Sequence, residues 1–132
     1  MKKFVSILLI LIFVFSLSSC GADFDLSEMG AHDAIEALHN ITSRYDINEG
    51  KIIRLKGEYV YATSNTGNAT KHLILIRETS HDHMAMIEFV LEEAPDAYPQ
   101  LNAEITITGA LSKYDLNGES YYQLINAKLK IN

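Results

Sequence analysis

The sequence predicts a mainly β domain, a small barrel of five strands with one amphipathic helix before them. Three observations predict this class. Apolar and polar residues alternate from residue 51 onward, which is the period of half-buried strands. Glycines interrupt two of the long strands, as happens where strands bend to close a barrel. A single stripe of apolar residues at helical spacing comes first, and 132 residues allow one domain.

The start of the chain has the features of a secretory signal peptide. A basic Lys2-Lys3 pair precedes Phe4–Phe15, an apolar run that only Ser6 interrupts. This run is about a dozen residues, whereas a helix that spans a bilayer needs roughly 20. A basic segment, a short apolar segment and then small residues together predict a cleaved signal peptide over residues 1–19.

The segment Leu17-Ser18-Ser19-Cys20 resembles the lipobox of bacterial lipoproteins. The resemblance implies that the Cys20 thiol receives a diacylglyceryl group and becomes the new N-terminus. Cys20 is the only cysteine and has no internal disulfide partner, which fits lipidation; an incidental thiol behind an ordinary signal peptide is the alternative. Two acyl chains such as palmitate hold a protein stably on a membrane. We therefore expect a lipid-anchored protein on the extracytoplasmic face of the cell membrane, with residues 20–26 as a tether.

One amphipathic helix is predicted over residues 28–42. Asp25 and Glu28 have the spacing of a capping box at its start. The apolar stripe consists of Ala31, Ala34, Ile35, Leu38 and Ile41. His32 and His39 are expected to be surface residues of this helix, and a helix-surface site formed by the two is the alternative.

Five strands follow, and together with the helix they form a predicted domain over residues 27–132. Gly57 indicates a bend in the first strand, and Asn117-Gly118 indicates a tight hairpin turn before the last. The strands are expected at about residues 51–62, 71–78, 84–91, 103–114 and 120–131. A five-stranded OB-like barrel fits this pattern best, since the alternative, a β-sandwich, usually needs about seven strands.

The charge of the chain restricts its partners. Loss of the two leader lysines leaves nine basic and 17 acidic residues, a net charge of −8 with histidine neutral. An acidic domain is repelled by nucleic acid phosphates, so nucleic-acid binding is disfavoured. The charge is compatible with cation binding and equally with a simple role in solubility.

Several segments of the chain resemble an uncharacterised family of small OB-fold lipoproteins from Gram-positive bacteria. They are Asp25-Leu26-Ser27-Glu28-Met29, Gly50-Lys51 with Leu55-Lys56-Gly57, Ile87-Glu88-Phe89-Val90-Leu91, and Tyr98-Pro99 through Glu104-Ile105-Thr106-Ile107-Thr108-Gly109. The resemblance implies a barrel and an envelope location but no reaction. Where relatives carry an adjacent Cys-Cys pair, this chain has Asp82 and His83, so thiol chemistry does not carry over.

His81-Asp82-His83 is the one cluster of metal-ligand residue types in the chain. Imidazole nitrogen and carboxylate oxygen suit zinc and other borderline divalent ions. Side chains at i and i+2 of a strand point the same way, so the two histidines could share an ion. A third ligand could come from His72, Glu78, Glu88 or a distant residue. A solvated polar loop and a pH-sensing histidine pair are the alternatives.

The remaining polar residues predict no catalytic centre. Neither a nucleophile motif nor a glycine-rich phosphate loop occurs. Five tyrosines could form a stacking face for a sugar or a base: Tyr59, Tyr61, Tyr114, Tyr121 and Tyr122. The sequence therefore favours a non-catalytic binding module for a small ligand, a divalent cation or an envelope protein. The alternatives are an accessory subunit of an envelope or transporter complex and, last, an enzyme.

Overall fold

The computed structural model describes residues 21–64, 67, 69–79 and 82–132. The predicted signal peptide, Cys20 and His81 lie outside these residues. The helices are Ala31–Ser43 (α1) and Tyr45–Asn48 (α2). The strands are Phe24–Asp25 (β1), Ile52–Thr63 (β2), Thr70–Glu78 (β3), His83–Leu91 (β4), Glu104–Leu116 (β5) and Glu119–Ile131 (β6).

Strands β2 to β6 form a closed barrel. The order of strands is β1-β2-β3-β4-β6-β5, and pairing of β2 with β5 closes the sheet on itself. The pairs within the barrel are antiparallel except β4–β6, which is parallel. The predicted mainly β class and the five-stranded OB-like barrel are thereby confirmed.

Gly57 marks the point where β2 passes from one neighbour to the other. Residues 52–58 pair with β5, and residues 58–63 pair with β3. A Cβ atom on Gly57 would strike the backbone carbonyl oxygen of Leu75 on β3. Glycine therefore lets the two backbones approach closely at the point where β2 changes its partner.

The predicted Asn-Gly hairpin joins β5 to β6. Asn117 and Gly118 have φ angles of 53° and 82°, the left-handed values that both central residues of a type I′ turn require. This turn matches the twist of the two strands it connects, which form the longest antiparallel pair of the barrel.

Helix α1 covers one end of the barrel with its apolar stripe. Ala34, Ile35, Leu38 and Ile41 are buried, and they join the core that the inner faces of all five barrel strands build. The helix contacts β3 and β4. Asn48 of α2 is buried and donates a hydrogen bond from Nδ2 to the carbonyl oxygen of Ile41, which fixes the end of α1.

Two predictions about the N-terminal segment are wrong. The tether predicted over residues 20–26 is shorter, because Phe24 and Asp25 pair in parallel with β2 and Leu26 lies in the core. The capping box does not form either, since α1 begins at Ala31. The Asp25 carboxylate instead accepts hydrogen bonds from Ser27 and from Arg54 of β2. The spacing of Asp25 and Glu28 suggested a helix cap, but the Asp25 side chain binds Ser27 and Arg54 of β2 instead.

Within the part of the chain that the structure describes, neither helix has the length and apolar character needed to cross a bilayer.

Candidate metal centre and adjoining cleft

The candidate site lies where the β3–β4 hairpin meets the first turn of α1. Glu78 ends β3, His83 begins β4, and the register pairs them directly across the ladder. Side chains alternate between the two faces of a strand. Glu78 is therefore on the same face of β3 as the core residues Ile74 and Ile76, and His83 is on the same face of β4 as Ile87.

Helix α1 adds His32 to this pair. The buried stripe of α1 fixes the rotation of the helix and turns His32 toward the hairpin. Its Nδ1 lies 3.1 Å from Oε2 of Glu78, within hydrogen-bond distance. Nδ1 of His83 lies 3.6 Å from the same oxygen, and the two imidazole centroids are 6.4 Å apart. The Nδ1 atoms of both histidines thus converge on one carboxylate oxygen.

Glu36 contacts the other side of the His32 ring. Its Oε1 lies 3.4 Å from Nε2 of His32, one helical turn along α1. The hydrogen bond to Glu78 raises the pKa of His32, and the negative charges of Glu78 and Glu36 raise it further. A metal on Nδ1 would leave Nε2–H facing Glu36, which is the usual arrangement of a carboxylate behind a ligating histidine.

The spacing of these atoms fits a tetrahedral ion. Zinc binds imidazole nitrogen and carboxylate oxygen at about 2.0–2.2 Å, which places neighbouring tetrahedral ligand atoms roughly 3.3–3.6 Å apart. The two separations from Glu78 are 3.1 Å and 3.6 Å, just below that range and at its upper limit. All three side chains offer ligand atoms within 4.8 Å of one another. His32, Glu78 and His83 are therefore the candidate metal centre.

A second set of possible ligands consists of His32, Asp33 and Glu36. All three are exposed, and all belong to the first turns of α1. The first set brings together three separate elements around the half-buried Glu78, which makes it the better candidate.

Of the predicted cluster His81-Asp82-His83, only His83 belongs to a possible ligand group among the described residues. His83 belongs to the candidate centre with Glu78, one of the third ligands that the sequence suggested. Asp82 has a φ of 48° in the turn between β3 and β4 and belongs to neither ligand group of the described residues. His81 lies outside the described residues. His32 was expected to be a simple surface residue, and no local spacing links it to position 83.

A cleft adjoins the candidate centre. Its volume is about 870 Å³, within the range of small-molecule sites. His83 and Glu36 are among its lining residues, so His83 belongs to both the cleft and the candidate metal centre. Leu38 and Ile87 contribute apolar surface from α1 and β4, and the exposed Met84 and Met86 contribute more from β4.

The far end of the cleft carries a charged hydrogen-bond chain. Lys71 Nζ donates to the Tyr114 hydroxyl over 2.9 Å, and this hydroxyl donates to Glu88 Oε2 over 2.6 Å. The hydrogen bond to Tyr114 raises the pKa of Lys71, so its ammonium stays charged. The ammonium also lies 5.4 Å from the ring centroid of Tyr121. The cleft therefore combines charged and polar groups with apolar surface.

The five tyrosines do not form one stacking face. Tyr114 and Tyr121 stack at the cleft with centroids 5.6 Å apart. Tyr59 and Tyr61 belong to a separate aromatic cluster, and Tyr122 packs on Tyr45. In the separate cluster His72 stacks on Tyr98, 3.6 Å between centroids, and its Nδ1 is 2.7 Å from the Tyr59 hydroxyl.

The fold and the site define a class of protein: an OB-like barrel with a helix across one end and a potential ligand set beneath that helix. No protein-family model, curated protein or solved structure matches this chain. The family resemblance of its sequence segments therefore stays a prediction.

Proposed function

We propose that the protein is a non-catalytic binding module, anchored through Cys20 to the extracytoplasmic face of the membrane, that binds a divalent cation at His32, Glu78 and His83. The ion is of the borderline class, zinc foremost. Two imidazole nitrogens disfavour magnesium and calcium, which prefer all-oxygen sites.

One observation carries the proposal: two histidines from separate elements direct Nδ1 at the same oxygen of Glu78. Long-range packing of α1 brings His32 to the hairpin, 46 residues before Glu78 in the chain. Glu36 behind His32 supplies the outer carboxylate that orients a ligating imidazole. The acidic charge of the chain also favours cation binding over anion binding.

Calorimetry tests the cation site. We expect the mature chain, residues 20–132 with Cys20→Ser to remove the thiol, to bind one zinc ion. His32→Gln and His83→Gln each remove one nitrogen ligand, so each is expected to weaken zinc binding about tenfold or more. His39→Gln, on the same helix but outside the ligand set, is the matched control and is expected to bind like the parent. Isotherms of the His32 and His83 variants that equal the control would contradict the proposal.

Membrane fractionation tests the anchor. Cys20→Ala removes the atom that carries the lipid, so we expect the variant to leave the membrane fraction or to accumulate with its leader uncut. Metabolic labelling with a fatty-acid analogue provides the second readout and is expected to mark the parent and not the variant. A processed Cys20→Ala chain that stays on membranes as firmly as the parent would contradict lipid anchoring.

A further inference from the structure

We propose that the cleft beside α1 is a peptide-binding site, in which an extended basic segment of a partner protein adds as a strand to the free edge of β4. The occupant is a protein backbone with apolar side chains at its centre and lysine or arginine on either side of them. This interaction is separate from the proposed cation site and does not depend on it.

The first observation is a free strand edge between β4 and β6. These two parallel strands pair from Glu88 and Gln123 onward. Before that point, among the described strands, residues 83–87 pair only with β3 and residues 119–122 pair only with β5. In a strand with one antiparallel neighbour, alternate residues direct their N–H and C=O groups away from that neighbour. Both strands therefore offer backbone donors and acceptors to the space between them.

The second observation is that the cleft follows this edge. Every residue from His83 to Glu88 lines the cleft, and so do residues 120–122 of β6. Consecutive side chains of a strand point to opposite faces, so this run of lining residues does not belong to one face of β4. The run shares the backbone edge on the side of β6, because β3 occupies the other side. The cleft of about 870 Å³ therefore lies beside the edge that lacks a strand partner.

The third observation is that this edge is not protected against pairing. Natural proteins block free edges with proline, lysine or a bulge. Residues 83–87 contain neither proline nor lysine, and their register with β3 runs without a bulge. Met84 and Met86 are at least half exposed, and methionine adapts to partners of different shapes. The edge is therefore suited to accept another strand.

The walls of the cleft indicate which side chains the added strand carries. Ile35 and Leu38 of α1 and Ile87 of β4 line the cleft on the side of the core. Met86, on the opposite face of β4 from Ile87, and the exposed Tyr121 line it on the outer side. Successive side chains of an added strand alternate between these two apolar surfaces. We therefore expect apolar residues at its central positions, with main-chain hydrogen bonds supplying affinity.

Charge favours a basic occupant. Of the described residues that line the cleft, Glu36 and Glu88 carry carboxylates, and Lys71 carries an ammonium that Tyr114 links to Glu88. With histidine neutral, the lining is therefore negative. The whole chain, with 17 acidic and 11 basic residues, is negative as well. Opposite charge speeds encounter and suppresses acidic partners, so lysine or arginine is expected beside the apolar centre of the peptide.

Selection from a phage-displayed library of random heptapeptides tests the site. The target is the mature chain with Cys20→Ser, and Met86→Lys serves for counterselection because an edge lysine blocks strand pairing. We expect peptides with an apolar centre and basic flanks that bind the parent at least about tenfold more tightly than they bind Met86→Lys. Failure to enrich any peptide that distinguishes the two targets would overturn the proposal.

A lysine elsewhere on β4 is the matched control. Val90→Lys adds the same charge at an exposed position that does not line the cleft, where β4 pairs with β6 on either side. It is expected to bind the selected peptides like the parent. Equal losses in Met86→Lys and Val90→Lys would overturn the assignment to the free edge.

Synthetic copies of the strongest peptide separate backbone pairing from side-chain contact. N-methylation of the central residues removes main-chain donors and keeps every side chain, so it is expected to weaken binding at least about tenfold. Glutamate in place of the basic residues is expected to weaken it too. Undiminished binding of the methylated copy would overturn strand addition, and undiminished binding of the acidic copy would overturn the basic occupant.

A chelator is present in all these measurements, which keeps them separate from the proposed cation site. A parent chain that binds the selected peptides but not zinc would contradict the cation site and support the strand-addition site. Normal zinc binding without any selected peptide would do the reverse.

Discussion

His32 is held from both sides by carboxylates, although its position on the helix surface gave no sign of this arrangement. Glu78 contacts Nδ1 and Glu36 contacts Nε2. Without a metal, the two carboxylates stabilise a protonated ring, which is why the pKa of His32 is raised. A metal would take the place of the proton on Nδ1 beside Glu78, and Glu36 would stay beside Nε2. His32, Glu78 and Glu36 therefore suit both a protonated ring and a ring that binds a metal.

His72 experiences the opposite environment. Burial lowers its pKa, although the charge of Glu88 partly opposes the effect. The ring stacks on Tyr98, and the Tyr59 hydroxyl, whose own pKa burial raises, lies 2.7 Å from Nδ1. The folded state therefore favours neutral His72, and Tyr59 retains the proton that it can donate to the ring.

The two histidines predict opposite pH dependences of stability. Because folding lowers the pKa of His72, the unfolded chain takes up a proton on this ring at a higher pH than the folded chain does. The contribution of His72 to the free energy of unfolding therefore falls as the pH drops from the ordinary pKa of 6.5 toward the lowered value. A raised pKa means that the contribution of His32 is present below pH 6.5 and is lost as the pH rises through the raised value. We expect His72→Gln to flatten the fall in the free energy of unfolding between pH 7.5 and 5, and His32→Gln to steepen it.

Urea unfolding in the presence of a chelator measures this dependence. The chelator keeps zinc out of the comparison, and His39→Gln controls for the loss of a surface imidazole. Parallel pH profiles for the parent and the His72 variant would contradict the account of the His72 environment.

The sequence alone identified two of the three residues of the candidate metal centre. His83 stood out because it follows another histidine by two residues, and Glu78 was one of three named candidates for a further ligand. His32 could not be predicted, because its distance to Glu78 depends on how α1 packs across the barrel end. That packing is a long-range property of the core and leaves no spacing signal near residue 32.

At the scale of elements, β2 is the strand on which the barrel depends. Its residues 52–58 pair with β5 and its residues 58–63 pair with β3, so it has a barrel neighbour on each side. The alternation of residues and the internal glycine were both legible in the sequence. The two-residue strand β1 was not, because a short parallel pairing has no pattern of its own.

Replacement of Gly57 is expected to weaken the barrel. The added Cβ of Gly57→Ala meets the backbone carbonyl of Leu75, which cannot move away without disturbing the β2–β3 ladder. We expect a loss of about 1–3 kcal/mol in the free energy of unfolding, the usual cost of overpacking. Gly21→Ala is the control, since its Cβ would have no neighbour within 4 Å. Equal stabilities of the two variants in urea unfolding would contradict the close approach at Gly57.

At the scale of the whole molecule, the proposed ion would connect parts of the chain that otherwise meet through packing and through the hydrogen bond between His32 and Glu78. His32 comes from the helix across the barrel end, and Glu78 and His83 come from the hairpin beneath it. An ion that binds only the folded state stabilises it by mass action, about 2.7 kcal/mol at 100 times the dissociation constant. Helix and hairpin would then separate less readily, and the cleft beside them would keep a defined shape.

The general architecture was predictable from patterns that extend along the whole chain, such as strand alternation, the apolar helix stripe and the Asn-Gly turn. The start of α1 was not, because Asp25 and Glu28 have the spacing of a cap while Asp25 is bound to Ser27 and Arg54 instead. Local signals failed where a tertiary contact competed for the same side chain.

The central claim is that His32 and His83 share one ion, and imidazole NMR during a zinc titration tests it most directly. In nitrogen-15-labelled mature protein carrying Cys20→Ser, we expect the Nδ1 resonances of His32 and His83 to shift together and to saturate at one equivalent of zinc. The resonances of His39 and His72 are expected to stay in place. A shift of His83 without His32, or of neither, would contradict the account.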